Sequence, residues 1–168
     1  MKLIRCAVVL LGLLSACVPE RGTEKDRKVV NLNSASVKFA LGSAYYFGDG
    51  VPKELEQAVE WFRSAAEEGH AEAQFNLGDA YRNGKGVLKD LAEAVKWYRK
   101  AADQGHANAQ YFLGSANHFG LGLPQDLEEG AKWWRKAAEQ GHANSQFNLG
   151  LAYQKGRGVL KDLVEAHA

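Results

Sequence analysis

Residues 73 to 102 show the pattern of apolar and polar positions that recurs along most of the chain. Ala73, Leu77, Ala80 and Tyr81 fall at i, i+4, i+7 and i+8, which places them on one face of a helix. The stretch "NGKGVLK" carries two glycines and breaks that helix. Asp90 then stands as an N-cap, with Glu93 three residues on to complete a capping box. A second helix carries Leu91, Ala94, Val95, Tyr98 and Ala102 on one stripe, with Trp97 and Ala101 on its flank. An apolar surface that wide suits a helix wedged between neighbours. Gly105 ends it as a left-handed C-cap. No alternating pattern of a strand occurs anywhere in the sequence.

The pair of patterns returns every 36 residues. Gly42, Gly78, Gly114 and Gly150 share that spacing, as do Trp61, Trp97 and Trp133, and Gly69, Gly105 and Gly141. Asp126 with Glu129 and Asp162 with Glu165 repeat the capping pair, and Glu54 with Gln57 is a weaker version. Units therefore run over about 34–69, 70–105 and 106–141, with an incomplete fourth from 142 to 168. One helix pair cannot bury its apolar face alone, so the units stack, each covering the next. The expected fold is all-α, a solenoid of about three and a half helix hairpins. In the third unit Asn117 stands where Tyr45, Tyr81 and Tyr153 stand elsewhere, and Gly130 replaces the alanine of Ala58, Ala94 and Ala166. Mid-helix glycine costs about 1 kcal/mol against alanine, so this unit is expected to be locally looser.

The segments "AEAQFNLGDAY", "GKGVLKD", "AVKWYRKAA" and "GHA" resemble the Sel-one-like repeat, a relative of the tetratricopeptide repeat, over residues 36 to 168. The resemblance implies a right-handed α/α superhelix with a concave inner face, and a role as an adaptor or scaffold that binds a protein or peptide. The face of each first helix opposite Ala73, Leu77 and Ala80 would line that groove. Read across units, its columns are Phe39, Phe75, Tyr111, Phe147; then Ser43, Asp79, Ser115, Leu151; then Tyr46, Arg82, His118, Gln154; and Phe47, Asn83, Phe119, Lys155. Columns shared by every unit serve the frame, whereas columns that vary are free to serve a partner. The first and third columns, with Asp79, Phe47, Asn83 and Phe119, are the expected partner contacts, since binding hot spots favour aromatics and arginine. The aromatic row is equally open to a packing role between first helices.

The first 16 residues read as an address. Lys2 and Arg5 precede an apolar run from Cys6 to Ala16, short of the roughly 20 residues of a spanning helix and in keeping with a secretory signal peptide. Leu14-Ser15-Ala16-Cys17 resembles the bacterial lipobox, which implies lipidation of Cys17 and anchoring through two or more acyl chains. Val18 rather than aspartate after the cysteine favours the outer membrane. Residues 17–33 are polar and of mixed charge, as suits a flexible tether. The expected location is the bacterial cell envelope, facing the periplasm. Cys6 and Cys17 are the chain's two cysteines, so no disulfide framework or zinc site can be built. A net charge of +1 on 168 residues makes no electrostatic case for nucleic acid.

His70, His106 and His142 each follow the glycine that ends a second helix. Packed helix axes are about 8–10 Å apart, so equivalent atoms in successive units cannot converge to the roughly 2 Å that one metal ion demands. Each histidine is expected to serve the linker between units; His118 and His167 stand alone. The pairs Gly48/Gly50, Gly84/Gly86, Gly120/Gly122 and Gly156/Gly158 lack a third glycine and a preceding strand, and read as turns rather than nucleotide loops. Trp61, Trp97 and Trp133 recur with the frame and are expected in the core. No Ser-His-Asp or Cys-His constellation is present, and no catalytic residue or cofactor is assigned. The alternatives to a scaffold are a β-lactamase-like or other cell-wall hydrolase and an immunity protein against a secreted toxin. Cysteine-rich relatives associated with β-lactam chemistry carry a cysteine pair in each repeat, which this chain lacks. The fourth unit stops at "LVEAHA", inside its second helix, leaving Phe147, Leu149 and Tyr153 without full cover. Fraying there, or cover by a partner or a second copy, is expected.

Overall fold

The computed structural model describes residues 33–159. Cys17, the signal peptide, nearly all of the tether and the capping pair Asp162–Glu165 lie outside the described residues. Within them are seven helices of 13 residues each: α1 (Ala35–Phe47), α2 (Leu55–Glu67), α3 (Ala71–Asn83), α4 (Leu91–Asp103), α5 (Ala107–Phe119), α6 (Leu127–Glu139) and α7 (Ala143–Lys155). Helices α1–α2, α3–α4 and α5–α6 form three hairpins, and α7 opens a fourth. No strand occurs among the described residues.

The helix ends follow from local chemistry. Each first helix stops at a glycine in the left-handed region, as at Gly84 with φ 68°. Gly105 lies one residue past the C-cap of α4 at φ 88°, as the sequence predicts. Asp90 and Asp126 cap α4 and α6, accepting from the backbone N–H of Glu93 and Glu129 at 2.9 Å. The capping box is only half formed, however. The Asp90 N–H is already donated to the Tyr81 carbonyl at 2.9 Å and the Asp126 N–H to Asn117 at 2.8 Å, so the glutamates have no amide to reach back to. They turn outward to Lys96 and Lys132. Glu54 makes no side-chain cap, and Gln57 bonds Glu60 instead.

Two close approaches fix the stack. Within each hairpin an aromatic ring of the second helix packs closely against a glycine of the first. A Cβ at Gly42, Gly78 or Gly114 would come within 2.6, 2.8 or 2.5 Å of Phe62, Tyr98 or Trp134. Between hairpins, a Cβ at Gly86 or Gly122 would fall 2.3 or 2.4 Å from the carbonyl oxygen of Leu55 or Leu91 in the preceding unit. The core falls into two clusters, each closed by a tryptophan of the next unit, with half-buried Tyr81 against both. Trp97 of α4 packs with Phe62, Leu77 and Ala80, and Trp133 of α6 with Tyr98 and Leu113. Trp97 and Trp133 are buried, each beneath a lysine ammonium 4.0 Å from its ring. Trp61 is only half-buried, and Ser64 stands where Lys100 and Lys136 stand in later units.

A polar rung crosses each complete hairpin. Gln104 Nε2 donates to Gln74 Oε1 and Gln140 Nε2 to Gln110 Oε1, both at 2.7 Å. At the same two columns the first hairpin carries an ion pair, Lys38 with Glu68. Gln74 and Gln110 also donate to the carbonyls of Ala66 and Ala102 at the end of the preceding helix.

The third unit is tighter, not looser. A Cβ at Gly130 would sit 3.0 Å from both the Gly114 carbonyl oxygen and the His118 nitrogen, so an alanine there would push the facing backbone of α5 away by a few tenths of an ångström. Asn117 is 2% exposed, and its Nδ2 donates to the Leu113 carbonyl at 2.9 Å. The tyrosines it replaces bind arginines across the unit joints instead, Arg63 to Tyr81 at 2.8 Å and Arg135 to Tyr153 at 2.7 Å. At the far end Phe147 is 67% exposed, while Leu149 and Tyr153 are half-buried.

Candidate functional site: a groove along the first helices

The linker histidines belong to the frame, and more fully than their position suggests. Nδ1 of His70, His106 and His142 accepts from the backbone N–H of residue 73, 109 or 145 at 3.2 Å, so each histidine is the N-cap of a first helix. Each ring also packs on the preceding unit's aromatic: Phe39, Phe75 and Tyr111, with centroids 4.7, 4.8 and 4.8 Å away. His106 Nε2 meets Glu72 at 2.9 Å and His142 Nε2 meets Asn108 at 3.2 Å. The Ser145 hydroxyl lies 3.0 Å from His142 Nδ1, but Ser145 has no exposed surface, so no substrate reaches its oxygen. The described residues bring no three metal-ligating side chains together.

The aromatic row therefore spends one flank on packing. Phe39, Phe75 and Tyr111 are half-buried against these histidines, and Phe75 also lies 5.9 Å from Phe112. The remaining variable columns gather around two clefts. One, of about 240 Å³, lies between α3 and α5 over α4, and Arg82, Tyr98, Phe112, Ser115 and Phe119 line it. The other, of about 170 Å³, lies one unit on, between α5 and α7 over α6. His118, Phe119, Trp134, Leu151, Lys155 and Arg157 line it. Phe119, 60% exposed, borders both.

In the first cleft Arg82 Nη2 donates to Asp79 Oδ1 at 2.6 Å, and its guanidinium lies 4.1 Å from the Phe112 ring centroid. Asn83 Nδ2 fixes the other Asp79 oxygen at 2.8 Å. Beneath them Tyr98 is 2% exposed, and burial holds its hydroxyl far above the usual tyrosine range, against the opposing pull of Arg82. That hydroxyl lies within reach of Asp79 and Arg82, while Arg82 Nε is shielded and without a partner. In the second cleft His118 is 7% exposed, with its Nδ1 unpartnered and its ring 4.7 Å from Trp134. Burial lowers its pKa, and the charge of Arg157 lowers it further.

Asp79 and Asn83 hold Arg82 at the first cleft, His118 lies at the second, and Phe119 stands between the two. Tyr46, Phe47, Phe147 and Gln154 lie toward the two ends of the row. Tyr46 accepts from Lys85 Nζ at 2.8 Å, Phe47 is exposed beside it, and Gln154 is exposed on α7. Sequence reasoning missed Phe112, Arg157 and the far edge of Tyr98. The signal for Phe112 was available, since its column reads Ala40, Asn76, Phe112, Asn148 and varies as much as its neighbours.

Equal hairpins seated on one another, with divergent side chains gathered on one face, define an all-α helical-repeat protein. The chain belongs to the Sel1 repeat family, whose model matches residues 35–70, 71–106, 107–142 and 143–168. Repeats of this family generally serve as scaffolds for protein–protein interaction. Among solved structures the chain is similar to a protective antigen of uropathogenic Escherichia coli strains displaying an SLR fold, at 46% identity and TM-score 0.77 over 80% of this chain and 29% of that one. A Sel1 repeat protein from Oxalobacter formigenes is 42% identical at TM-score 0.77, over 80% of this chain and 53% of that one. The cysteine rich protein B of Helicobacter pylori is 26% identical at TM-score 0.55, over 68% of this chain and 81% of that one. The chain thus matches 29% and 53% of the length of the first two. No curated protein matches it.

Proposed function

We propose that this chain is a scaffold held in the bacterial envelope by a lipid on Cys17, binding a polypeptide along the face of its first helices. One observation carries the reading. The columns that repeat in every unit are consumed inside the frame, as caps, rungs and ring-on-glycine contacts, whereas variable positions such as Arg82, Ser115, His118, Phe119 and Lys155 line two adjoining clefts. A face built that way does no work for folding that a uniform repeat would not do better. Its action is adhesive and steric: the frame holds Arg82, His118 and Phe119 in place, and the lipid sets where the complex forms.

A photo-crosslinking residue placed at position 119 or at the outward-facing position 96 tests it in cells. Adducts from position 119, lost on Arg82→Glu and absent from position 96, are expected. Adducts from position 96 alone, or indifferent to Arg82→Glu, would move the function off this face. For the anchor, labelled palmitate should enter the chain and fail to enter Cys17→Ser. Equal labelling of both would remove the lipid from the account.

A further inference from the structure

We infer that the second cleft is a seat for an acidic side chain of the bound polypeptide, held by Lys155 and Arg157 with His118 in the wall. The inference rests on the groove reading above and gives its partner a chemistry. The two clefts occupy equivalent places in successive units, and two columns change character between them: Phe119 and Leu121 of the first become Lys155 and Arg157 in the second. The first cleft is largely apolar, with Leu91, Val95 and Phe112 in its wall, and its one cation, Arg82, is already bound to Asp79. Lys85, in the same column as Arg157, is likewise held by the Tyr46 hydroxyl. Lys155 and Arg157 are exposed, form no ion pair and lie over no ring among the described residues. No carboxylate lines their cleft.

A buried group gives a second, independent sign. His118 is 7% exposed, lines this cleft, and leaves its Nδ1 without a partner. Its ring is held between Phe119 and Trp134, with centroids 4.8 and 4.7 Å away. The charged groups that line the cleft beside it are both cations, Lys155 from α7 and Arg157 from the loop after it, whereas α6 presents Trp134 and Gly130 to it. Two cations and an imidazole with no anion among them are completed by a carboxylate. It accepts charge-assisted hydrogen bonds from the cations and favours the protonated imidazole that Arg157 opposes. Size selects the source of that carboxylate. The cleft holds about 170 Å³, below the roughly 300–1,000 Å³ of a small-molecule site, so one side chain of a larger guest suits it. The rest of such a guest reaches the apolar first cleft past Phe119, which borders both and which a free inorganic anion would leave empty.

The test uses fluorescent pools of end-capped dodecapeptides, random in leucine, phenylalanine, alanine and proline, with glutamate, glutamine or lysine fixed at the centre. A fourth pool has a central glutamine and a free C-terminus as its one carboxylate. Binding to the full chain in detergent is read by fluorescence polarisation, and the His118 ring by NMR titration. The glutamate pool is expected to bind about tenfold more tightly than the glutamine pool, the worth of one charge-assisted hydrogen bond. Lys155→Glu/Arg157→Glu, at two exposed positions, should make the lysine pool the better ligand, while Lys96→Glu on the outward face leaves the order unchanged. The glutamate pool should raise the His118 pKa in the wild type and not in the double variant. By the same linkage its affinity should grow as pH falls from about 7.5 to 6, and His118→Gln should flatten that trend. Equal binding of the glutamate and glutamine pools, or a preference indifferent to the double charge reversal, overturns the inference. So does tighter binding of the free C-terminus, an equal His118 shift with inorganic phosphate alone, or binding of phosphatidylglycerol vesicles but not of peptides. If adducts at position 119 persist while the pools show no charge preference, the groove stands and only the acidic seat falls; if those adducts are also absent, both fall.

Discussion

Alanine at position 130 would give the third unit the residue that Ala58 and Ala94 supply in the first two, yet it should weaken the protein. Helix propensity alone favours the change by about 1 kcal/mol. Against it stands the narrow gap between α5 and α6. A Cβ at Gly130 would lie 3.0 Å from the Gly114 carbonyl oxygen, 3.0 Å from the His118 nitrogen and 3.2 Å from the His118 Cβ. None of these atoms belongs to a side chain that can swing aside, so α5 itself must move. Overpacking of this kind costs about 1–3 kcal/mol. Moving α5 also strains the bond from Trp134 Nε1 to the Tyr111 carbonyl, now 3.2 Å. The two effects leave a net loss of about 1 kcal/mol, or a melting temperature lower by a few degrees. Urea unfolding followed by circular dichroism, with amide exchange on α5 and α6, measures it. A variant more stable than wild type by the propensity gain would refute the reasoning, because the helices would then have separated without cost.

Gln74→Ala should cost about 1–3 kcal/mol, since it removes two hydrogen bonds at the joint, one to the Ala66 carbonyl and one from the Gln104 amide; a urea midpoint equal to wild type would count against the rung. His106→Ala loses a cap and a ring contact with Phe75, about 1–2 kcal/mol together, whereas His106→Asn keeps a capping side chain and should recover part of that loss. Equal melting of the two variants would deny the cap. Burial lowers the His118 pKa, so the folded protein binds fewer protons there than the unfolded chain does. Its contribution is complete above the ordinary value of 6.5 and is lost as pH falls below that toward the lowered value. Stability should therefore fall on acidification through that window, and His118→Gln should flatten this part of the profile. Identical slopes would place the titration elsewhere.

Unit length and helix boundaries were legible because glycine and aspartate punctuate them, and their effects are local: a left-handed end at Gly105, a carboxylate cap at Asp90 and Asp126. The capping box was misjudged because the chain says nothing of which amide a loop has already engaged. The histidine caps escaped notice for a similar reason. Histidine is not among the favoured cap residues, and the ring it packs on lies in the preceding unit. The rungs could have been read, since Lys38 with Glu68 exchanges for Gln74 with Gln104 and Gln110 with Gln140 at the same two columns. Gly130 shows the limit of propensity, because its meaning depends on the distance to another helix. The clefts are hardest to read from a chain alone. Tyr98 sits on an apolar stripe, and periodicity does not tell whether a ring's far edge meets packed atoms or an opening.

The seat that Gly86, Gly122 and Gly158 make on the main chain of the unit before has one more effect. Its contact atoms are the carbonyl oxygens of Leu55, Leu91 and Leu127, which no side-chain change removes. The pitch of the array is thus ruled by backbone, like the graduations of a gauge, while the lettering between the marks is free to be rewritten. Columns such as 82/118 and 119/155 can change without recalibrating the instrument.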